Sequence, residues 1–140
     1  MTTNIAINGM GRIGRMVLRI ASKNDDLNVV AINASYPPET IAHLVKYDTT
    51  HGKYDGNVEP TENGIRIDGH DIKLVSDRNP ENLPWKDLDI DIVIEATGKF
   101  NHGDKADAHI KAGAKKVLLT GPSKGGHVQM VVKGVNDDSL

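Results

Sequence analysis

The chain has 140 residues, 38% of them apolar and 26% charged, and a formal net charge of −2 at pH 7. This describes one globular domain able to bury a core unaided, with no charge footprint for nucleic acid or an anionic membrane surface. Cysteine is absent, which excludes disulfides, thiolate metal sites and a catalytic thiol within these residues. No apolar run reaches bilayer-spanning length and the start lacks the apolar core of a signal peptide, so a cytoplasmic location is expected.

Residues 5–7, Ile-Ala-Ile, read as a short strand. They lead into Asn8-Gly9-Met10-Gly11-Arg12-Ile13-Gly14-Arg15 and then a helix with Ile13, Met16, Val17 and Ile20 at one-face spacing. Between a strand and a helix, a G-x-G-x-x-G turn is a dinucleotide-binding fingerprint. The first glycine makes the turn, the second admits a diphosphate to the backbone, and the third packs helix against strand. Free N–H groups at the helix start favour the negative charge. Glycines so spaced also serve as plain turn chemistry, so the motif needs support from the rest of the chain.

Residues 27–33 read as a second strand, and Pro37-Pro38-Glu39 opens a helix with Ile41, Leu44 and Val45 on one face. A loop over 48–56 precedes a hairpin over 65–74 that turns at Asp68-Gly69, the one antiparallel interruption. Residues 79–85 hold two prolines and read as a loop or short edge strand. A strongly apolar strand over 90–94 ends at Ala96-Thr97-Gly98. A helix from Gly103 or Asp104 to Ala112 is stopped by Gly113, and strands are expected over 116–120 and 128–132. The alternation predicts an α/β fold, Rossmann-like and doubly wound. It has a mostly parallel sheet, helices on both faces and one antiparallel hairpin. Loops 8–14, 33–38, 97–103 and 120–127 would gather along one sheet edge, where open α/β sheets bind ligands.

Other constellations carry less. The six histidines show no H-E-x-x-H spacing, so no metal site is expected, and His109 reads as a packed helical histidine. Gly121-Pro122-Ser123-Lys124-Gly125-Gly126 lacks the Walker order. Lys111, Lys115 and Lys116 read as a solvated helix end.

With the loops placed, the chain resembles the N-terminal coenzyme-binding part of glyceraldehyde-3-phosphate dehydrogenases nearly end to end. The resemblance rests on the residue 8–15 turn, Tyr47-Asp48-Thr49-Thr50-His51-Gly52-Lys53-Tyr54, Ala96-Thr97-Gly98-Lys99-Phe100 and His109-Ile110-Lys111-Ala112-Gly113-Ala114-Lys115-Lys116. Thr120-Gly121-Pro122-Ser123-Lys124 and Val132-Lys133-Gly134-Val135-Asn136 complete it. It implies one NAD(P)-binding domain over 1–140, with the backbone around Gly9, Gly11, Arg12, Ile13 and Gly14 on the coenzyme diphosphate. Arg78 would lie by the adenine, Thr97 and Gly98 near the ribose, and Thr120 on the nicotinamide side. Each side chain also has a plainer role, as a solvated loop charge or a strand end.

Two departures from the family matter. The acid that normally accepts hydrogen bonds from the adenosine ribose would directly follow Asn33, and Ala34 stands there. A carboxylate would repel the 2′-phosphate of NADP, so its loss, with Ser35 as a donor, predicts NADP accepted at least as well as NAD. In this the chain resembles the NADP-preferring, gluconeogenic members. No arginine clamp stands nearby, and the alternative is that Ala34 merely weakens NAD binding.

The second departure is that the family's nucleophilic cysteine lies beyond Val135-Asn136, and Leu140 is reached without it. The resemblance implies a phosphorylating, NAD(P)-dependent aldehyde dehydrogenase that is homotetrameric at full length. These 140 residues alone are expected to bind coenzyme but to be inactive, and to self-associate weakly through an uncovered apolar surface. Alternatives are an erythrose-4-phosphate dehydrogenase coenzyme domain and a stand-alone, non-catalytic nucleotide-binding module. No dedicated nucleic-acid partner and no membrane are expected.

Overall fold

The apolar stretches become seven strands and three helices in the computed structural model, which describes residues 2–100 and 102–139. Strand β1 is Thr3–Asn8, helix α1 Arg12–Ser22, β2 Leu27–Asn33 and α2 Pro38–Lys46. Strands β3 (Val58–Pro60), β4 (Gly64–Ile67) and β5 (His70–Val75) follow, then β6 (Ile92–Glu95), α3 (Gly103–Lys111) and β7 (Lys116–Leu119). They form one sheet in the order β3-β4-β5-β2-β1-β6-β7. Strands β5, β2, β1, β6 and β7 are parallel, while β3-β4 and β4-β5 are antiparallel. The β4–β5 hairpin turns at Asp68 and Gly69, both at positive φ, as a two-residue hairpin loop requires. Edge strand β3 adds a second antiparallel pair, and Pro60 at its end suits an edge that donates few ladder bonds.

The period-2 alternation of β1 splits the core between two faces. Ile5 and Ile7 pack with Leu18 and Ala21 of α1 and with Ile41, Ala42 and Val45 of α2. Ala6 points the other way, into a cluster of Ala31, Trp85, Val93, Ala112 and Ala114 on the α3 side. The register slips by one residue between Ile5↔Val29 and Ala6↔Ala31, so Val30 and Ala31 both serve the α3 face and Ile32 returns to the other. Trp85, within the stretch read as loop or edge strand, is fully buried. Its segment is no strand: a 3₁₀ turn over Pro80–Asn82 is capped by Asn79, whose side chain accepts from the Glu81 N–H at 3.2 Å.

Two expectations are corrected. The inward face of α1 is Gly14, Leu18 and Ala21, with Val17 partly buried against the same cluster; Ile13 and Ile20 are exposed, and Met16 lies at the margin. The close seat of Gly14 on the first turn fixes the helix rotation, and residues one position earlier are turned about 100° outward. The strand expected over 128–132 does not form. Backbone groups that a ladder would use are taken locally: the Val132 N–H donates to Asn136 Oδ1 at 2.6 Å, and Asn136 Nδ2 donates to the Met130 carbonyl at 3.0 Å. Met130 and Val132 stay exposed.

Loop 48–56 is held from below by Arg19. Its guanidinium is buried and donates to the Val45 carbonyl at 2.8 Å and the Gly52 carbonyl at 3.0 Å. No helix among the described residues is long and apolar enough to cross a membrane.

Candidate functional site

The parallel strands all end at one edge, and the connections diverge there. From β1 the chain crosses through α1 to β2, whereas β6 lies on the opposite side of β1. Such a switch point opens a crevice at the strand ends. The β1–α1 turn leaves the sheet at this point. Gly9 has φ +100°, and a β-carbon there would sit 2.8 Å from Thr97 Cγ2, so a side chain is excluded by both conformation and space. A β-carbon on Gly14 would run into the Gly9 carbonyl oxygen, which seats the helix on its own turn. Gly11 meets nothing within 4 Å. It is the N-cap of α1, and the first turn has no side-chain cap and no acid to meet the dipole end.

Beneath this turn runs a buried polar row. Asn33, Asn8 and Glu95 are the last residues of β2, β1 and β6 and stand in register, Asn33↔Asn8↔Glu95. Asn33 Nδ2 donates to Asn8 Oδ1 at 2.7 Å, and Asn8 Nδ2 donates to Glu95 Oε2 at 2.6 Å. The same carboxylate oxygen takes His109 Nε2 of α3 at 2.7 Å, and Trp85 Nε1 donates to His109 Nδ1 at 3.0 Å. An indole N–H can only donate, so His109 Nδ1 carries no proton and Nε2–H points at Glu95. Asn8 Nδ2 and His109 Nε2 lie 3.3 Å apart because both donate to one oxygen. Oε1 accepts the Thr97 N–H at 2.9 Å and the Thr97 hydroxyl at 2.5 Å.

Glu95 and His109 are fully buried, and among the described residues no lysine or arginine pairs with the carboxylate. Burial pushes the Glu95 carboxyl up, but the donors from His109, Thr97 and Asn8 outweigh it and hold the group below its ordinary value.

The row reaches the outgoing turns. Asn33 clamps the loop after β5 by donating to the Asp77 carbonyl at 2.9 Å and accepting the Asp77 N–H at 3.0 Å. The Glu95 carbonyl accepts the Thr120 N–H at 3.2 Å and hydroxyl at 3.1 Å. The loops after β6 and β7 also join, with the Gly103 N–H on the Gly125 carbonyl at 3.0 Å.

Sequence-selected residues therefore lie around one edge. Gly9 abuts Thr97, Thr97 and Thr120 share Glu95, and Ala34 follows Asn33 with its N–H on the Val75 carbonyl at 3.1 Å. Arg12, Ile13, Ser35, Arg78, Gly98 and Thr120 are exposed. Sequence reasoning missed the roles of Asn8, Asn33, Glu95 and Trp85. The available signal was a polar residue closing each of three apolar strands. Away from the edge, Lys115 pairs with Asp91 at 2.8 Å and Lys111 with Glu81 at 3.6 Å. His127 pairs with Asp107 at 2.9 Å, and that hydrogen bond raises its pKa; Asp104 completes a trio, exposed but for half-buried Asp107, whose ligand atoms lie within 4.8 Å.

Residues 3–103 match the family described as glyceraldehyde 3-phosphate dehydrogenase, NAD binding domain. Over all 140 residues the chain is 84% identical to glyceraldehyde-3-phosphate dehydrogenase 2 of Staphylococcus aureus strain MRSA252 and 80% identical to the protein of that name in Staphylococcus epidermidis. The chain spans 41% of the length of these relatives. The chain accordingly belongs to the glyceraldehyde 3-phosphate dehydrogenase NAD-binding-domain family, whose cofactor is a nicotinamide dinucleotide.

Proposed function

We propose that this chain binds NADP or NAD along the strand-end crevice as the coenzyme domain of a phosphorylating glyceraldehyde-3-phosphate dehydrogenase. The observation that carries the reading is the Gly9–Gly14 turn at the switch point. Gly11 faces open space at an uncapped helix start, where N–H groups and dipole suit a diphosphate. The residues fit such a group, because the two crowded glycines build the wall and the open one leaves room beside it.

In this reading the backbone of Gly9 to Gly14, with Arg12 and Ile13, holds the diphosphate. Arg78 flanks the adenine, Thr97 and Gly98 the ribose, and Thr120 the nicotinamide side. Ala34 and Ser35 supply no carboxylate where the adenosine ribose would lie, which supports acceptance of a 2′-phosphate. The coenzyme supplies hydride transfer when bound, and these residues bind and orient it. They include no cysteine, so acyl chemistry at a thiol needs a nucleophile from outside these 140 residues. At the level of the whole protein the reading extends to a cytoplasmic homotetramer.

Calorimetric titration with NADP⁺ and then NAD⁺ in the same buffer tests it. Binding with NADP⁺ at least as tight supports the reading. Preference for NAD⁺ removes the selectivity inference, and binding of neither by the folded chain removes the coenzyme site.

A further inference from the structure

We propose that Asp104, Asp107 and His127 form a binding site for a divalent transition metal ion of the zinc class, which ties helix α3 to the loop after β7. The inference uses none of the coenzyme contacts proposed above and stands or falls apart from them.

The placement comes from two segments of the chain. Asp104 and Asp107, spaced i and i+3, share a face in the first half of α3. His127 arrives from the loop after β7, and its Nε2 lies 2.9 Å from Asp107 Oδ2. The ligand atoms of all three residues fall within 4.8 Å of one another. Backbone contact seats this loop on the helix start. The Gly103 N–H donates to the Gly125 carbonyl at 3.0 Å, and a β-carbon on Gly126 would lie 2.8 Å from the Gly103 nitrogen. A β-carbon on Gly103 would lie 3.0 Å from the His127 nitrogen. The imidazole is therefore brought to the carboxylates by close-packed backbone, which lowers the ordering cost of binding an ion there.

The donor set selects the ion. The helix dipole accounts for an acid at Asp104 in the first turn, but not for Asp107 further along or for an imidazole from another segment. Among the described residues neither carboxylate pairs with a lysine or arginine; their partners are His102, 3.9 Å from Asp104, and His127. One imidazole nitrogen with two carboxylate oxygens suits Zn²⁺ and its neighbours, whereas Mg²⁺ and Ca²⁺ favour oxygen alone. Three protein ligands leave a further position for water. The Asp104 and His127 side chains are 79% and 65% exposed, so an ion reaches them from solvent and both can swing in to close the site. Asp104-x-x-Asp107 with a histidine 20 positions beyond matches no usual ligand spacing, so the sequence alone predicts no metal there.

Calorimetric titration of the chain with Zn²⁺, and separately with Mg²⁺, in a non-chelating buffer tests the proposal. The chain has no cysteine to compete. One Zn²⁺ per chain is expected, bound at least about tenfold more tightly than Mg²⁺. His127→Gln and Asp107→Asn are each expected to weaken Zn²⁺ at least about tenfold, since loss even of an outer partner costs that much. His51→Gln is the control, because His51 Nδ1 faces a single carboxylate, Asp48, at 3.2 Å; it should stay within about twofold of wild type. Zn²⁺ should also slow amide exchange at Gly103, whose N–H joins helix to loop. All three substitutions lie on exposed or half-buried side chains, so folding is not at stake. No Zn²⁺ binding, equal affinity for Mg²⁺, or a His127→Gln or Asp107→Asn variant that binds like wild type overturns the site. Equal weakening in His51→Gln overturns it as general binding to surface histidines, and unchanged exchange at Gly103 overturns the tie between α3 and the loop.

Discussion

Trp85 Nε1 stands 3.0 Å from His109 Nδ1, and this single contact decides which way the imidazole faces the rest of the core. With Nδ1 accepting, Nε2 must donate to Glu95, so an indole on one loop orients a carboxylate at the end of β6. The ring edges add to the fit, with Phe100 edge-on to His109 at 6.4 Å.

His109→Ala removes the acceptor for Trp85 and one donor for Glu95 while opening a cavity in a fully buried site. We expect a loss of about 2–4 kcal/mol in unfolding free energy, read by urea denaturation. A loss within about 0.5 kcal/mol would show that water replaces the imidazole without penalty.

The acid limb of the stability profile carries a contribution from Glu95. Burial raises its carboxyl, but the hydrogen bonds from His109, Thr97 and Asn8 outweigh that and leave it below the ordinary 4.5. A carboxyl depressed on folding adds stability that is complete above its ordinary value. That stability is lost as pH falls from there through the lower folded value. Glu95→Gln should therefore flatten the profile below about pH 4.5 relative to wild type. Asp48, Asp68, Asp71 and Asp91 are also held low and will leave a residual acid limb in both proteins.

Two glycines in one turn should respond oppositely to alanine. At Gly14 the added methyl meets the Gly9 carbonyl oxygen, and displacement of α1 is expected to cost about 3 kcal/mol in thermal or urea unfolding. Gly11 has φ −72° and open space around it, so alanine should leave stability within about 0.5 kcal/mol. At Gly11 the expected loss is in coenzyme affinity, by about tenfold, since the methyl intrudes where a diphosphate would approach.

Ala34→Asp tests the adenosine end. A carboxylate beside the ribose should lower NADP⁺ affinity about tenfold by repulsion of the 2′-phosphate while NAD⁺ holds or gains. Calorimetry with both coenzymes measures it, and equal loss of both would mean that the side chain at 34 faces away from the ribose.

How far these features were legible depends on how local their causes are. The strand–turn–helix unit around Gly9, the Asp68-Gly69 hairpin and the stop of α3 at Gly113 follow from φ preferences and periodicity, which neighbours in sequence already express. The apolar alternation of residues 128–132 suggested a strand, but side-chain capture by Asn136 competed with the ladder and won. Ile13 and Ile20 fitted a helical stripe, yet the seat of Gly14 turned that stripe outward.

The sequence by itself determined the alternating α/β order, the glycine turn and its candidate contacts, because each rests on residues within one turn or strand of one another. Only the tertiary structure decided that Asn33, Asn8, Glu95, His109 and Trp85 form one chain of hydrogen bonds. Asn8 and Glu95 are 87 positions apart, and Asn8 and His109 101 apart. Nothing in a strand-ending asparagine or glutamate declares its partner. Strand order and register bring them side by side, and burial then requires every donor to find an acceptor.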